Sequence, residues 1–277
     1  MTQMAAANAF AACFGEVRQY DHDRFLTVLL APAPVRDALL ALYAFNIEIA
    51  RIPEAVSEPM MGQIRLQWWR ETVEGLDRGE TRGHAVAEAL AATDISREGL
   101  LALIDARERD LSEEPFADLP ALETYADATS AAVMRLAAGA LGATVPESVV
   151  RNAGIAYALT GLLRALPLHA SQGRLFMPAD LLRLYDVDPH TILTGRMTEG
   201  LRGVMRDVAD RARILLAGAR HEPIPRAALP ALMPVSLCDH YLALMTTPGF
   251  DPFHRPTEVP AFRRQLRLLR AKFTGRV

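Results

Sequence analysis

Apolar residues recur along this chain at three- and four-residue steps almost without interruption, the spacing of one buried helical face. Val35, Leu39, Leu42 and Ile49 form one such series, and Ile64, Trp68, Val73 and Leu76 are expected on one side of the next helix. β-Branched residues rarely alternate with polar ones, so the period of a strand is missing. The pattern predicts helices over 3–19, 23–30, 34–51, 60–77, 83–92, 96–112, 120–142, 146–166, 178–186, 198–220, 226–245 and 259–274. Asp23 is the expected cap of the second, Pro34 suits the first turn of the third, and Ser96 caps the sixth, with Gly99 three residues on. Proline and glycine gather at 113–119, 172–178, 221–225 and 247–257, which read as loops. None is long enough to separate domains. The expectation is one all-α domain spanning 1–277.

Composition supports a packed core. Of the 277 residues 51% are hydrophobic and 23% charged, which excludes a disordered or collagen-like chain. The formal charge of −3 gives no global basic field, so nucleic acid is not an expected partner. Cys13 and Cys238 lack metal-ligand spacing and fit a reducing cytosol. The opening stretch is apolar without a positive n-region, and its first basic residue is Arg18. It therefore reads as helix rather than signal peptide. No run of 18 apolar residues occurs, so no membrane span is expected.

Nucleotide, hydrolase and metalloprotease signatures are absent. The tightest polar clusters, Cys238-Asp239-His240 and Asp21-His22-Asp23, put neighbours on different sides of a helix and read as solvated surface rather than metal sites.

Two segments carry more: LLALYAFNIEIARIPE (39–54) and GIAYALTGLLRALPLHASQGRLFMP (154–178). Both resemble motifs of the squalene/phytoene synthase family, head-to-head prenyl-diphosphate condensing enzymes. RLQWWRE (65–71) and PRAALPALMP (225–234) extend the likeness over nearly the whole chain. The resemblance implies an isoprenoid (terpenoid) synthase-like helical bundle with a central cavity. In such enzymes acids one helical turn apart hold Mg²⁺, which neutralises a diphosphate leaving group.

This sequence departs from the family where that chemistry resides. The acids of the first motif fall on Ala50, Arg51 and Glu54, and those of the second on Ala165, Leu168 and His169. Only Glu54 is a carboxylate, and Arg51 is placed to pair with it. The family arginine after the YAF segment is Ile47, and the asparagine after Thr160 is Gly161. Pro167 should break the second helix, so that residues 165 and 169 no longer share a face. Tyr43, Phe45 and Tyr157 are read as core or cavity lining. Asn46, Thr160, Arg164 and Arg174 complete the degenerate site. Arg164 and Arg174 suit an anion, with a carboxylate partner for Arg164 as the other reading; Trp68 and Trp69 are read as packing residues.

Within the family, the LYAFNxEIA, RLQWWR and LLRALPxHxxxGRxFxP segments resemble a divergent subgroup. It includes a mitochondrial complex I assembly factor and its α-proteobacterial relatives. That implies a non-catalytic protein without cofactor, binding an isoprenoid or lipid-like ligand, assembly intermediates of a respiratory complex, or both. Its expected place is the cytoplasm, peripheral on the inner membrane face. The rival is an active transferase using Mg²⁺, and a regulatory scaffold is a third reading. Between helices 34–51 and 146–166 the space is expected to be more apolar than in an active synthase.

Residues 259–277 hold six bases and no acid. Phe262, Leu266, Leu269 and Phe273 draw an apolar stripe there, flanked by arginines. Two readings stand: the stripe packs on the bundle, or 262–273 lies on an anionic membrane surface.

Overall fold

The computed structural model describes residues 3–56, 58–112, 114–255 and 257–277, and every regular element among them is helical. In chain order these are Gln3–Tyr20 (α1), His22–Leu30 (α2), Arg36–Ala50 (α3), Pro59–Gly75 (α4), Ala85–Ala91 (α5) and Arg97–Arg107 (α6). Leu119–Ala126 (α7) runs through a π-helical turn, Asp127–Ala131, into Ala132–Ala140 (α8). Glu147–Arg164 (α9), Leu166–Ser171 (α10), Ala179–Leu184 (α11), Pro189–Leu193 (α12) and Glu199–Ala219 (α13) follow. Leu229–Leu232 (α14), Cys238–Met245 (α15) and Ala261–Thr274 (α16) complete the order.

Several local expectations change. Asp21, not Asp23, caps α2, its carboxylate accepting from the Arg24 amide at 3.1 Å. Asp23 lies inside the first turn and is buried. Ser96 accepts from Gly99 as expected. The predicted 226–245 helix is divided into 3-10 and α segments, because Pro230 and Pro234 supply no amide hydrogen. That stretch is long and apolar enough to cross a membrane, but 78% of it is buried inside the protein, as a core segment is. On α4 the buried side runs through Leu66, Trp69 and Val73, with Leu76 buried just past its end, whereas Ile64 is exposed. The short helix α12 escaped the sequence pattern, although Asp188 caps it ahead of Pro189.

The chain forms two compact units. The first, from Met1–Ser112, Ala132–Val145 and Pro225–Pro234, is organised around α3. Every residue from Leu39 to Ile47 is buried, because LLALYAFNI leaves almost no polar side to face water. Helices α1, α2, α5, α6 and α8 surround it.

In the second unit, from Glu113–Ala131, Pro146–Ile224 and Val235–Val277, the corresponding helix is α9. It packs along α13 and meets α7, α15 and the π-turn. A Cβ on Gly154 would overlap the backbone of Ala131 in that turn. Arg151 on α9 pairs with Asp127 at 2.9 Å, fixing the same crossing. Gly154→Ala would gain about 1 kcal/mol of helix propensity. Overpacking costs about 1–3 kcal/mol or more, and a backbone obstacle cannot change rotamer. We expect a net loss of about 2 kcal/mol, read from the denaturant midpoint; an unchanged midpoint would show that the crossing yields.

Candidate functional site: two remodelled motif ends

Each of the two motifs runs past the C-terminus of its unit's central helix. In the first unit, α3 stops at Ala50 and a 3-10 turn, Ile52–Glu54, carries Pro53. Arg51 Nε donates to Glu54 Oε2 at 3.3 Å, and its Nη1 lies 3.8 Å from Glu16 Oε1. The guanidinium also stacks on the Tyr20 ring, 3.8 Å from its centroid. The pairing expected of Arg51 and Glu54 is thus present, but in a half-exposed position with two further partners.

Glu16, Arg51 and Glu54 border a pocket of about 330 Å³, together with Glu48, Trp68, Trp69 and His84. The two indoles meet edge to face, 5.0 Å apart, and the His84 ring packs on both. Trp69 is a core residue, T-stacked on Phe45, whereas Trp68 is half-buried at the pocket wall. The site therefore offers carboxylates and an aromatic wall, with Arg51 neutralising part of the negative charge. Glu16 and His84 were not legible as site residues, since nothing local links α1 or the 84–85 turn to the motif.

Burial, and then the nearby Glu48, push the Glu16 carboxyl above its ordinary value, against the opposing pull of Arg51. The folded pKa therefore exceeds the unfolded one. Protonated Glu16 is compatible with full stability, which declines as pH rises through the folded pKa. Glu16→Gln is expected to melt higher than wild type at neutral pH. The gap should close below about pH 4, where both states are protonated. A gap independent of pH would contradict the assignment.

Two motif residues turn away from this pocket. Tyr43 is fully buried with Arg24 over its ring at 5.3 Å, and burial pushes its phenol up to about 12, so it stays neutral. Asn46, also buried, accepts from Arg107 at 3.3 Å, and Arg107 pairs with Asp110 at 3.0 Å.

In the second unit, Thr160 is buried and donates to the Ala156 carbonyl at 2.8 Å, whereas Tyr157 is half-buried. Beyond its chain neighbours and the backbone of its own helical turns, no atom comes within 4 Å of where a Gly161 Cβ would stand. Arg164, last in α9, stacks on Tyr241 at 3.6 Å, a role neither of its two expected readings included. The helix breaks at Ala165 and restarts as α10 with Pro167 in its first turn. The break falls one residue earlier than a loss of the shared face requires. His169 N still donates to Ala165 O at 2.9 Å, so residues 165 and 169 remain one helical turn apart. Phe176 gathers the other two residues: the His169 ring lies 4.5 Å from it and the Arg174 guanidinium 4.9 Å.

The polar clusters set aside as solvated surface also do structural work. Asp239 receives Arg220 at 2.8 Å and Arg267 as well. Cys13 and Cys238 are buried, and burial pushes both thiols up to about 12. Neither thiol is activated.

Mg²⁺ requires several hard oxygen ligands. The resemblance puts the family's acids at Ala50, Arg51, Glu54, Ala165, Leu168 and His169. One carboxylate remains, and Arg51 occupies it. This donor set does not fit Mg²⁺. Among the described residues, no three His, Cys, Asp or Glu side chains gather where they could hold a metal.

Comparison with known proteins places the chain. Residues 17–271 match the family model described as squalene/phytoene synthase. A complex I assembly factor 6 of Bos taurus is 31% identical over 274 residues, covering 96% of this chain and 81% of that protein. A phytoene synthase of Thermus thermophilus is 29% identical over 271 residues, covering 94% and 91%. The crystal structure of a dehydrosqualene synthase in complex with ligand superposes with a TM-score of 0.83 at 15% identity, over 97% of both chains. The all-α fold is thus that of the isoprenoid synthases, and the chain belongs to the squalene/phytoene synthase family.

Proposed function

We propose that this protein works by binding, without prenyl transfer and without a metal cofactor, and that it assists the assembly of respiratory complex I. One observation carries the reading: a guanidinium, Arg51, stands at a former acid position and engages the only carboxylate left there. A positive charge at that point repels Mg²⁺, the ion that activates a diphosphate leaving group in the enzymes of the family. The likeness to complex I assembly factor 6 of Bos taurus supports the assembly role.

The ligand we propose is isoprenoid or lipid-like, met in the first unit at the pocket that Arg51, Glu54 and Trp68 border. The working place we propose is the cytoplasm, peripheral on the inner membrane face.

Cells lacking the protein should accumulate incomplete complex I on native gels and regain the full complex on re-expression. Complete, active complex I in those cells would overturn the assembly role. The rival, an active synthase, draws support from the Thermus thermophilus phytoene synthase likeness and predicts prenyl-diphosphate turnover instead.

A further inference from the structure

α16 has two apolar faces, and the protein uses one. Leu268 and Ala271 are buried, at 1% and 2% exposure. On the same side Arg267 Nε donates to the Ser236 carbonyl at 2.7 Å and its guanidinium pairs with Asp239. At about 100° per residue, Phe262, Leu266, Leu269 and Phe273 fall within about 60° of one another on the opposite side. They are 73%, 55%, 40% and 74% exposed. So the helix docks, but not through the stripe that the sequence pattern favours for docking.

The basic residues divide in the same way. Arg267 is spent on internal bonds, whereas Arg263, Arg270 and Lys272 are exposed and flank the stripe, the first two along one edge and the lysine along the other. Arg270 also borders a recess of about 660 Å³ into which Arg220, Arg267 and Arg276 converge, against the single side-chain carboxylate of Asp239. No acid occurs in residues 259–277.

We infer that the outer face of α16 is a docking surface for an anionic lipid bilayer. Phe262 and Phe273 would enter the acyl boundary, with Arg263, Arg270 and Lys272 at the phosphate level. Charge selects this occupant. Two copies meeting stripe to stripe would bring like-charged borders together, whereas an anionic surface neutralises them. The inference deepens the membrane-side working place proposed above, yet the two fail separately. Vesicle binding by the purified chain does not depend on an assembly role, and complex I assembly can be scored in cells whatever the vesicles show.

The test is co-sedimentation of the full chain with vesicles of phosphatidylglycerol in phosphatidylcholine, and with phosphatidylcholine alone. Wild type should bind the anionic vesicles at least tenfold more tightly, and added salt should weaken binding. The double variant Phe262→Asp, Phe273→Asp should lose binding while keeping the wild-type melting temperature, since both positions are exposed. Replacing Arg263, Arg270 and Lys272 one by one with Gln should weaken binding about fivefold each. Equal binding to both vesicle types, or an undiminished double variant, would overturn the inference. So would abolition of binding by a few millimolar inorganic phosphate at constant ionic strength, which would make the recess a phosphate site. A wild-type dimer in light scattering that the double variant converts to monomer would assign the stripe to a second copy instead.

Discussion

A chain truncated after Glu258 is expected to lose at least about 4 kcal/mol of stability, because the inner face of α16 is part of the core. Leu268 alone, fully buried, represents about 2–5 kcal/mol by the cost of truncating such a residue. Ala271 and Val277 leave with it, and Asp239 loses one of its two arginine partners. Set against a net stability of about 5–15 kcal/mol for a natural domain, the loss should leave much of the chain unfolded at 37 °C. The contrast is internal to one helix. Phe262→Asp, on the outer face, should stay within about 0.5 kcal/mol of wild type. Urea melts of the two variants check this; a truncated chain as stable as wild type would mean that α16 does not dock.

Asp110→Ala is expected to cost about 3–5 kcal/mol, the price of breaking a buried ion pair from one side. Asp110 is buried at the end of the 3-10 turn after α6, and the Arg107 side chain is only 14% exposed. Removing the carboxylate leaves a guanidinium held away from water with less to balance it. Asn46, which accepts from Arg107, should lose its fixed orientation at the same time. Arg107→Met added to Asp110→Ala should recover part of the loss, since replacing both charges is less costly than orphaning one. A double variant no more stable than the single would show that the pair is not the source of the effect.

The helical class and the family motifs were legible because they depend on local periodicity and on short residue patterns. The break near Pro167 was legible too, since a missing amide hydrogen acts wherever proline sits. Its consequence was not: the helix restarts at once, and residues 165 and 169 keep their turn. The cap of α2 was misplaced by two residues because Asp21 and Asp23 offer the same side chain, and only the entry path of the chain selects between them. For α16, periodicity identified an apolar stripe but not what covers it. A leucine and an alanine on the other face formed too weak a pattern to be seen beside four large residues. The pocket partners Glu16 and His84 come from α1 and the turn before α5, and only tertiary packing brings them to Arg51.

The proposed absence of prenyl transfer is tested most directly by incubating the purified protein with farnesyl or geranylgeranyl diphosphate, Mg²⁺ and NADPH, and measuring released diphosphate. With Arg51 holding Glu54 in place of the acids that gather Mg²⁺, release should match the protein-free background. Sustained release above background, proportional to protein concentration and abolished by chelating Mg²⁺, would contradict the account and restore the chain to the enzymes of its family.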